Sequence, residues 1–361
     1  MMEYKKLGDI ATYVNGYAFK PEQRGKKGLP IIRIQDLTGN SYDLGYYEGD
    51  YPKKIELNNG DVLISWSASL GVYHWNRGKA LLNQHIFKVI FDKVNINKFF
   101  FMYAVEYNLK KMSLKTHGAT MKHITKKDFD NVIIPFPTLE KQGEIAQDLN
   151  IIKRIIEKYN QQINLLDELV KARFVEMFGD PLFNPKSFPI RRIDEVAYLN
   201  KGITYSPEDV SNEGLIVLRS SNIKGNKFDL EDLVFIKKEV KLGKMVHEND
   251  ILMCNRNGSA RLVGKVAMIP KLNANMTFGT FMTIIRSELY IYLFNYFQTE
   301  AFRQQIRFQT SVSINQISLP LLASVKVPIP PIELQNQFAN FVKEVDKSRF
   351  IIKSMIKEGL L

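Results

Sequence analysis

The residues that could do chemistry in this chain do not combine into a catalytic or cofactor-binding pattern. The segment 258–266 resembles a phosphate-binding loop, but five residues separate its glycines where four are needed, and Val266 replaces the Ser or Thr that would hold Mg²⁺. The triplet Glu239-Val240-Lys241 has the form of a nuclease metal-site tail, without a convincing acidic partner before it. The five histidines lack close metal-ligand spacing. The sequence therefore predicts no catalytic residue, no metal site and no cofactor bound by this chain.

The charge of the chain favours a polyanionic partner. The 50 Lys and Arg residues exceed the 38 Asp and Glu residues, which gives a formal net charge of +12 and a pI near 9.4. Such a balance is typical of nucleic-acid-binding proteins, although a merely soluble basic protein is the alternative. The single cysteine, Cys254, excludes an internal disulfide, and no apolar run approaches the length of a membrane span. We therefore expect a soluble, cytoplasmic protein with no membrane partner.

Polar residues that suit DNA recognition follow several predicted strands. Arg fits the O6/N7 edge of guanine and Asn or Gln the N6/N7 edge of adenine, while other Lys and Arg residues neutralise phosphates. For any single residue, a solvated surface side chain is the alternative. The aromatic residues Trp66, Tyr73, Trp75 and Phe281 are interpreted as core residues. The predicted DNA-binding residues are Arg33, Gln35, Ser65, Ser67, Lys115, His117, Thr120 and Lys122, followed by Arg219, Ser220, Asn222, Asn255, Arg256, Arg261, Arg307, Gln309, Ser313 and Asn315.

A long helix is predicted over residues 139–178, where Gly143 is the sole Gly or Pro and Gly179-Asp180-Pro181 ends the segment. Its apolar residues are spaced alternately by three and four, which is the seam of a coiled coil. At 1.5 Å per residue the helix reaches roughly 60 Å, longer than a small domain is wide. The predicted pairing residues are Leu149, Ile152, Ile156, Tyr159, Ile163, Leu166 and Val170.

The regions on either side of this helix are copies of one unit. The segment 6–11 returns 186 residues later (192 − 6) as 192–197, and 60–64 returns 189 residues later as 249–253. The closest match is between 135–142 and 328–335, at an offset of 193. Residues of the apolar frame match while the loops differ, so two similar scaffolds are expected to recognise two different things.

The long helix is duplicated as well, and the second copy is shorter because the sequence stops at Leu361. Two heptad-bearing helices joined through a whole domain most simply pair antiparallel and hold the domains at opposite ends of a rod. We predict an α+β fold with two mixed α/β domains, 1–137 and 181–330, and two long helices, 138–180 and 331–361. The pairing residues of the second helix are Phe338, Val342, Val345, Ile352 and Ile356.

The duplicated motifs carry a family resemblance that spans nearly the whole chain. The stretch from Pro135 to Ala146 and its copy from Pro328 to Ala339 resemble the entry into the long helices of the specificity subunit of type I restriction–modification systems. The segments 60–65, 118–124 and 258–267 look like parts of its target-recognition domains, and 173–181 is similar to its exit from the central helix.

The resemblance implies a non-catalytic reader of double-stranded DNA. Each target-recognition domain would contact one half of a split, asymmetric site, and the helices would fix the unread spacer. Two methylation subunits that bind S-adenosylmethionine would methylate adenine, and restriction subunits would use ATP and Mg²⁺ for translocation and cleavage.

Two other functions remain open from the sequence. An orphan structural or regulatory adaptor would bind methylation subunits without reading DNA, and the short last helix favours it. RNA binding is supported by charge alone.

Overall fold

The computed structural model describes residues 3–115, 125–307 and 315–358, with the backbone alone for 113–115. The chain divides into two compact units, Met1–Glu157 and Lys158–Leu361. The boundary falls inside the 40-residue central helix Leu139–Phe178, so each unit contains part of that helix. The predicted fold class, two mixed α/β domains with two long helices, is confirmed. Within the described part of the chain, the helices are too short or too polar to serve as a membrane span.

The described residues of unit 1 form ten strands, four α-helices and the first part of the central helix, α5. The strands are β1 (Tyr4–Lys6), β2 (Thr12–Asn15), β3 (Leu29–Ile32), β4 (Tyr46–Tyr47), β5 (Glu56–Leu57), β6 (Val62–Ser65), β7 (Gly71–His74), β8 (Ala80–Leu82), β9 (Ile86–Ile90) and β10 (Ile133–Pro135). The helices are α1 (Leu7–Ile10), α2 (Ile34–Leu37), α3 (Lys98–Lys115), α4 (Lys126–Asp130) and α5 (Leu139–Phe178).

Unit 2 repeats this plan, with twelve strands in the part that the structure describes. The strands are β11 (Ile190–Arg192), β12 (Tyr198–Lys201), β13 (Val210–Ser211), β14 (Leu215–Leu218), β15 (Ile223–Lys224), β16 (Lys227–Phe228), β17 (Phe235–Ile236), β18 (Ile251–Cys254), β19 (Val266–Met268), β20 (Met276–Phe278), β21 (Met282–Arg286) and β22 (Lys326–Pro328). The helices are α6 (Ile193–Val196), α7 (Tyr290–Tyr296), α8 (Glu300–Arg307), α9 (Leu319–Ser324) and α10 (Ile332–Glu358).

The sheets of the two units have matching topology. Each unit has one four-stranded antiparallel sheet, ordered β2-β9-β6-β7 in unit 1 and β12-β21-β18-β19 in unit 2. Each also has a mixed sheet with one parallel pair, β3 with β8 and β14 with β20. A two-stranded ladder, β1-β10 or β11-β22, brings the start of each domain beside the entry to its long helix. The internal repeat found in the sequence is therefore a repeat of the fold.

A close approach of two backbones marks both copies at the same place. A Cβ on Gly16 would lie 2.0 Å from the carbonyl oxygen of Asn83, and one on Gly202 would lie 2.0 Å from that of Gly279. Gly16 N donates to Ile86 O in unit 1. Because neither position has room for a side chain, the frame requires glycine there in both units.

In unit 2, helix α10 packs antiparallel on the second half of α5. Phe338, near the start of α10, contacts Phe178 at a ring-centroid distance of 5.3 Å, whereas Arg349, one-third from its end, pairs with Asp167 at 2.7 Å. The numbering therefore rises along one helix as it falls along the other. Their shared core includes Val170 of α5 and several residues of unit 2, namely Ile193, Ile251, Tyr292, Phe302, Phe338 and Val345.

The residues predicted to pair the helices are buried to different degrees. Ile163, Val170, Phe338 and Val345 are buried, and Leu166 and Val342 are partly buried against the same cluster. Ile152, in unit 1, is 39% exposed. The remaining predicted pairing residues are half-buried, and they are Leu149, Ile156, Tyr159, Ile352 and Ile356.

The repeated Gln of the helix-entry motif is a buried structural residue that bonds to the backbone in both units. Gln142 is fully buried; its Nε2 donates to Pro137 O at 2.8 Å, and its Oε1 accepts from Asn97 N at 2.9 Å. Gln335 donates in the same way to Pro330 O at 2.7 Å. Its Oε1 is buried and has no hydrogen-bond partner among the described residues. The motif thus satisfies backbone groups where each long helix begins.

Truncation of Phe338 should destabilise unit 2 strongly. Phe338→Ala is expected to cost about 3–5 kcal/mol, because the ring is fully buried between Phe174 and Phe178. Phe350→Ala is the matched control on the same helix, since that ring is 72% exposed, and it should change stability by less than about 0.5 kcal/mol. Urea unfolding followed by circular dichroism measures both. Both tryptophans lie in unit 1, so their fluorescence reports whether unit 1 is affected. An equal loss of unfolding free energy in the two variants would contradict the packing of Phe338.

Substitution of the repeated Gln should reduce stability more in unit 1 than in unit 2. Gln142→Ala is expected to cost about 1–3 kcal/mol because it leaves two partly buried backbone groups, Asn97 N and Pro137 O, without this partner. Tryptophan fluorescence during urea unfolding of unit 1 measures this loss. The exposed Gln147 on the same helix supplies the control substitution to Ala. Gln335→Ala should cost less in unit 2 because it removes one bond, and a larger loss there would refute the assignment.

Candidate nucleic-acid interface

In unit 2, three polar segments predicted from the sequence lie side by side. The turn 219–222 follows strand β14, the loop 255–262 follows β18, and residues 315–316 precede α9. Asn257 Nδ2 donates to Ser220 Oγ at 3.2 Å and joins the loop to the turn. Asn315 Nδ2 donates to Gly258 O at 3.1 Å and joins the third segment. The fold therefore gathers residues that are almost a hundred positions apart in the chain into one polar surface.

Lys265 stabilises the turn 219–222, a role that was not predicted from the sequence. Lys265 Nζ donates to Ser220 O at 2.6 Å and to Ile223 O at 2.8 Å. Burial lowers the pKa of the Lys265 ammonium. Because two of its three N–H donors are used by these carbonyls, Lys265 supports the surface, although it lies in the segment that resembles a phosphate loop.

Asn222 is a turn-forming residue, which corrects its prediction as a base reader. The residue is fully buried, its Oδ1 accepts from Arg219 N at 2.8 Å, and its Nδ2 donates to Asp229 O at 2.9 Å. Arg219 itself pairs with Asp232 at 2.8 Å and stays partly exposed. Asn222 and Arg219 therefore stabilise the local turn after strand β14. Asn and Arg can form such turns as well as recognise bases, so the residue types alone did not separate the two roles.

Arg33 takes an equivalent local role in unit 1. Its backbone N–H and its Nε both donate to Asp36 Oδ2, at 2.8 and 3.1 Å, and its Nη2 donates to Asp43 O. The Arg33 side chain is 17% exposed. The guanidinium closes the turn at helix α2, and its role in DNA binding stays a prediction. Gln35 is half-buried on the same turn.

Three further candidates are buried, and their predictions are corrected. Ser65 is fully buried and its hydroxyl donates to Ser69 O. Ser67 is also buried, and Asn255 is buried with its Nδ2 donating to Thr283 Oγ1. Buried side chains do not reach a base edge or a phosphate.

The remaining candidates divide into exposed residues and residues outside the description. Arg256 and Arg261 are exposed, Ser220 is half-buried, and Arg307 is exposed and pairs with Glu300 at 3.1 Å. Lys115 is the last residue of helix α3. The candidates that lie outside the described residues are His117, Thr120, Lys122, Gln309 and Ser313.

The structure also shows an exposed aromatic residue that sequence reasoning placed in the core. Phe281 is 51% exposed, and the Arg256 guanidinium lies 5.1 Å from its ring centroid. The repeat contained the signal for this exposure, because the polar residue His85 occupies the same place before strand β9 as Phe281 before β21. An aromatic residue aligned with a polar residue of the other copy is a candidate for the surface.

Equivalent backbone bonds carry different side chains in the two units. Trp66 N donates to His85 O in unit 1, and Asn255 N donates to Phe281 O in unit 2. In unit 1 the rings of Trp66 and His85 lie 5.0 Å apart, and Trp66 Nε1 donates to Asn15 Oδ1 at 3.3 Å. The next residue along each loop is Ser67 in unit 1 and Arg256 in unit 2. One frame therefore presents two chemically different surfaces.

Comparison with known proteins agrees with this duplicated plan. The family model described as the type I restriction modification DNA specificity domain matches residues 1–167 and 185–361. The chain is 22% identical to the EcoBI specificity subunit of Escherichia coli, over 98% of this chain and 81% of that protein. It is also 22% identical to the MjaVIII specificity subunit of Methanocaldococcus jannaschii, over 95% of this chain and 86% of that protein.

A solved chain shows a likeness in fold. It comes from a type I R-M system described for its complex assembly and conformational transition, and it superposes with a TM-score of 0.53 at 15% identity. The match covers 99% of this chain and 94% of that chain. With two matched stretches that together span almost its whole length, this chain belongs to the family defined by the type I restriction modification DNA specificity domain.

Proposed function

We propose that this chain is the DNA-recognition subunit of a type I restriction–modification complex. Unit 1 and unit 2 each read one half of a split, asymmetric site in double-stranded DNA. The observation that carries the proposal is the matched backbone frame with unlike accessible side chains, Trp66 and His85 in one unit and Arg256 and Phe281 in the other. Two different surfaces on one scaffold suit two different half-sites. The net charge of +12 supports a polyanionic partner.

In this proposal the chain is a non-catalytic subunit. Two methylation subunits bind S-adenosylmethionine and methylate adenine, and restriction subunits use ATP and Mg²⁺ to translocate and cleave DNA. The described residues contain no group of three or more His, Cys, Asp or Glu side chains that could hold a metal ion. The chain's own contribution is to bind DNA, to set the distance between half-sites, and to direct its partners to the adenines.

Loss of the gene should remove one bipartite methylation motif from the genome. Single-molecule sequencing of genomic DNA from cells with and without the gene measures modified adenines on both strands. Re-expression of the unaltered chain should restore the motif. A chain that lacks residues 158–361 is the control, because it lacks the unit that is proposed to read the second half-site. An unchanged set of motifs would refute DNA recognition and favour an adaptor that occupies methylation subunits.

Inserting one heptad into α5 should lengthen the unread spacer and leave both half-sites unchanged. Seven residues add about 10.5 Å of helix, which corresponds to about 3 bp of DNA. We would duplicate residues 150–156, outside the stretch 166–178 that packs on α10 in unit 2. The methylated motif of the variant gives the new spacer.

A five-residue insertion at the same place is the matched control. It rotates the helix by about 140° from its original phase, since each residue turns the helix by about 100°, and methylation should be lost. An altered half-site in the heptad variant would contradict the assignment of base reading to the domains.

A further inference from the structure

Arg256 and Phe281 form an exposed pair on the candidate DNA surface of unit 2. The guanidinium lies 5.1 Å from the centroid of the Phe281 ring, and both residues are exposed. The N–H groups of Asn255 and Arg256 both donate to Phe281 O, at 2.8 and 3.4 Å. Cys254 precedes them as a fully buried residue at the end of strand β18. The backbone that carries the guanidinium is therefore fixed to the backbone that carries the ring.

The charge of Arg256 is not compensated within the described part of the chain, where no carboxylate lies at ion-pairing distance from it. Other cations of unit 2 are paired there, since Arg219 meets Asp232 at 2.8 Å, Lys224 meets Asp229 at 3.0 Å, and Arg307 meets Glu300 at 3.1 Å. An exposed arginine whose charge is unpaired and whose backbone is held in place is suited to contact an anionic or acceptor-rich surface.

The amides beside Arg256 are already used to hold the loop. Asn257 donates to Ser220 Oγ and its Oδ1 accepts from Ser259 N at 3.0 Å. Asn315 donates to Gly258 O. These amides build the surface, whereas the exposed guanidinium of Arg256 has no ion-pair partner among the described residues.

We propose that Arg256 determines specificity in the half-site read by unit 2 by donating two hydrogen bonds to O6 and N7 of a guanine, with Phe281 as the positioning residue that holds the guanidinium. The inference rests on the proposed function and specifies its chemistry. The two bonds require the guanidinium to lie close to the plane of the base, and an aromatic ring with its centroid 5.1 Å from the guanidinium restricts the rotation that would break this alignment. A phosphate contact has no such requirement. Unit 1 carries Ser67 and His85 at these places, so its half-site is read by other contacts.

The test is selection of the methylated motif by the full chain assembled with its methylation subunits, on DNA with randomised half-sites. Arg256→Gln should relax a single position that is guanine in the motif of the unaltered complex. Discrimination there should fall by roughly 5- to 100-fold, as expected for one bidentate contact. The other half-site should stay unchanged. Phe281→Leu keeps an apolar side chain without the ring and should weaken discrimination at the same position to a smaller extent.

Arg261→Gln is the matched control, because it removes the same charge from an exposed residue of the same loop. It should lower affinity uniformly across sequences and reduce the slope of log K against log salt by about 0.9 for one lost phosphate contact. If Arg256→Gln behaves like this control and leaves the motif unchanged, Arg256 contacts phosphate and the inference is overturned.

Three further results separate the inference from the function on which it rests. A motif from the unaltered complex with no guanine at the relaxed position would overturn the guanine contact and leave DNA recognition intact. Relaxation in both half-sites would indicate a general loss of structure and would also overturn the inference. If the unaltered complex selects no motif, both the proposed function and the inference fail.

Discussion

The architecture of unit 2 depends on one aromatic cluster. Phe174 and Phe178 of the central helix, Phe338 of the last helix and Tyr292 of helix α7 pack with ring-centroid distances between 5.0 and 5.6 Å. Burial raises the pKa of the Tyr292 hydroxyl, which donates to Pro328 O beside the entry to α10. The cluster joins both helices to the globular part of the unit. A surface on that part is consequently held at a defined position relative to the helix pair.

The polar contacts of the same region continue this connection toward the candidate DNA surface. Asp167 of the central helix pairs with Arg349 of α10 at 2.7 Å and with Lys227 of the β15–β16 hairpin at 2.8 Å. That hairpin follows directly on the turn 219–222, whose carbonyls are held by Lys265. The Lys227 side chain is 46% exposed, and an ion pair open to solvent contributes little to stability by itself. Here the ion pairs of Asp167 position the turn relative to the helices, because only a few residues connect them.

The duplication separates the parts of the domain that must be conserved in shape from those that can change. Gly16 and Gly202 stand where two backbones meet, and Gln142 and Gln335 fill the same position at the two helix entries. A change at these places would meet steric overlap or leave a buried group unsatisfied. After strands β6 and β18, Ser67 and Asn255 are buried, whereas the half-buried Trp66 and the exposed Arg256 have no such restriction. Divergence is therefore concentrated where a ligand would be contacted.

The duplication, the two long helices and the α+β class could be predicted from the sequence, because apolar periodicity and repeated motifs record burial along the chain. The sequence also located the polar loops of the candidate interface. It did not determine which polar residues face outward. Asn222 and Ser65 were expected to contact DNA, but the tertiary structure uses them in turns, because the hydrogen-bonding groups that recognise bases also satisfy backbone atoms. Phe281 was expected in the core, and the structure exposes it beneath Arg256. Exposure depends on neighbours that are distant in sequence, so only the fold decided these assignments.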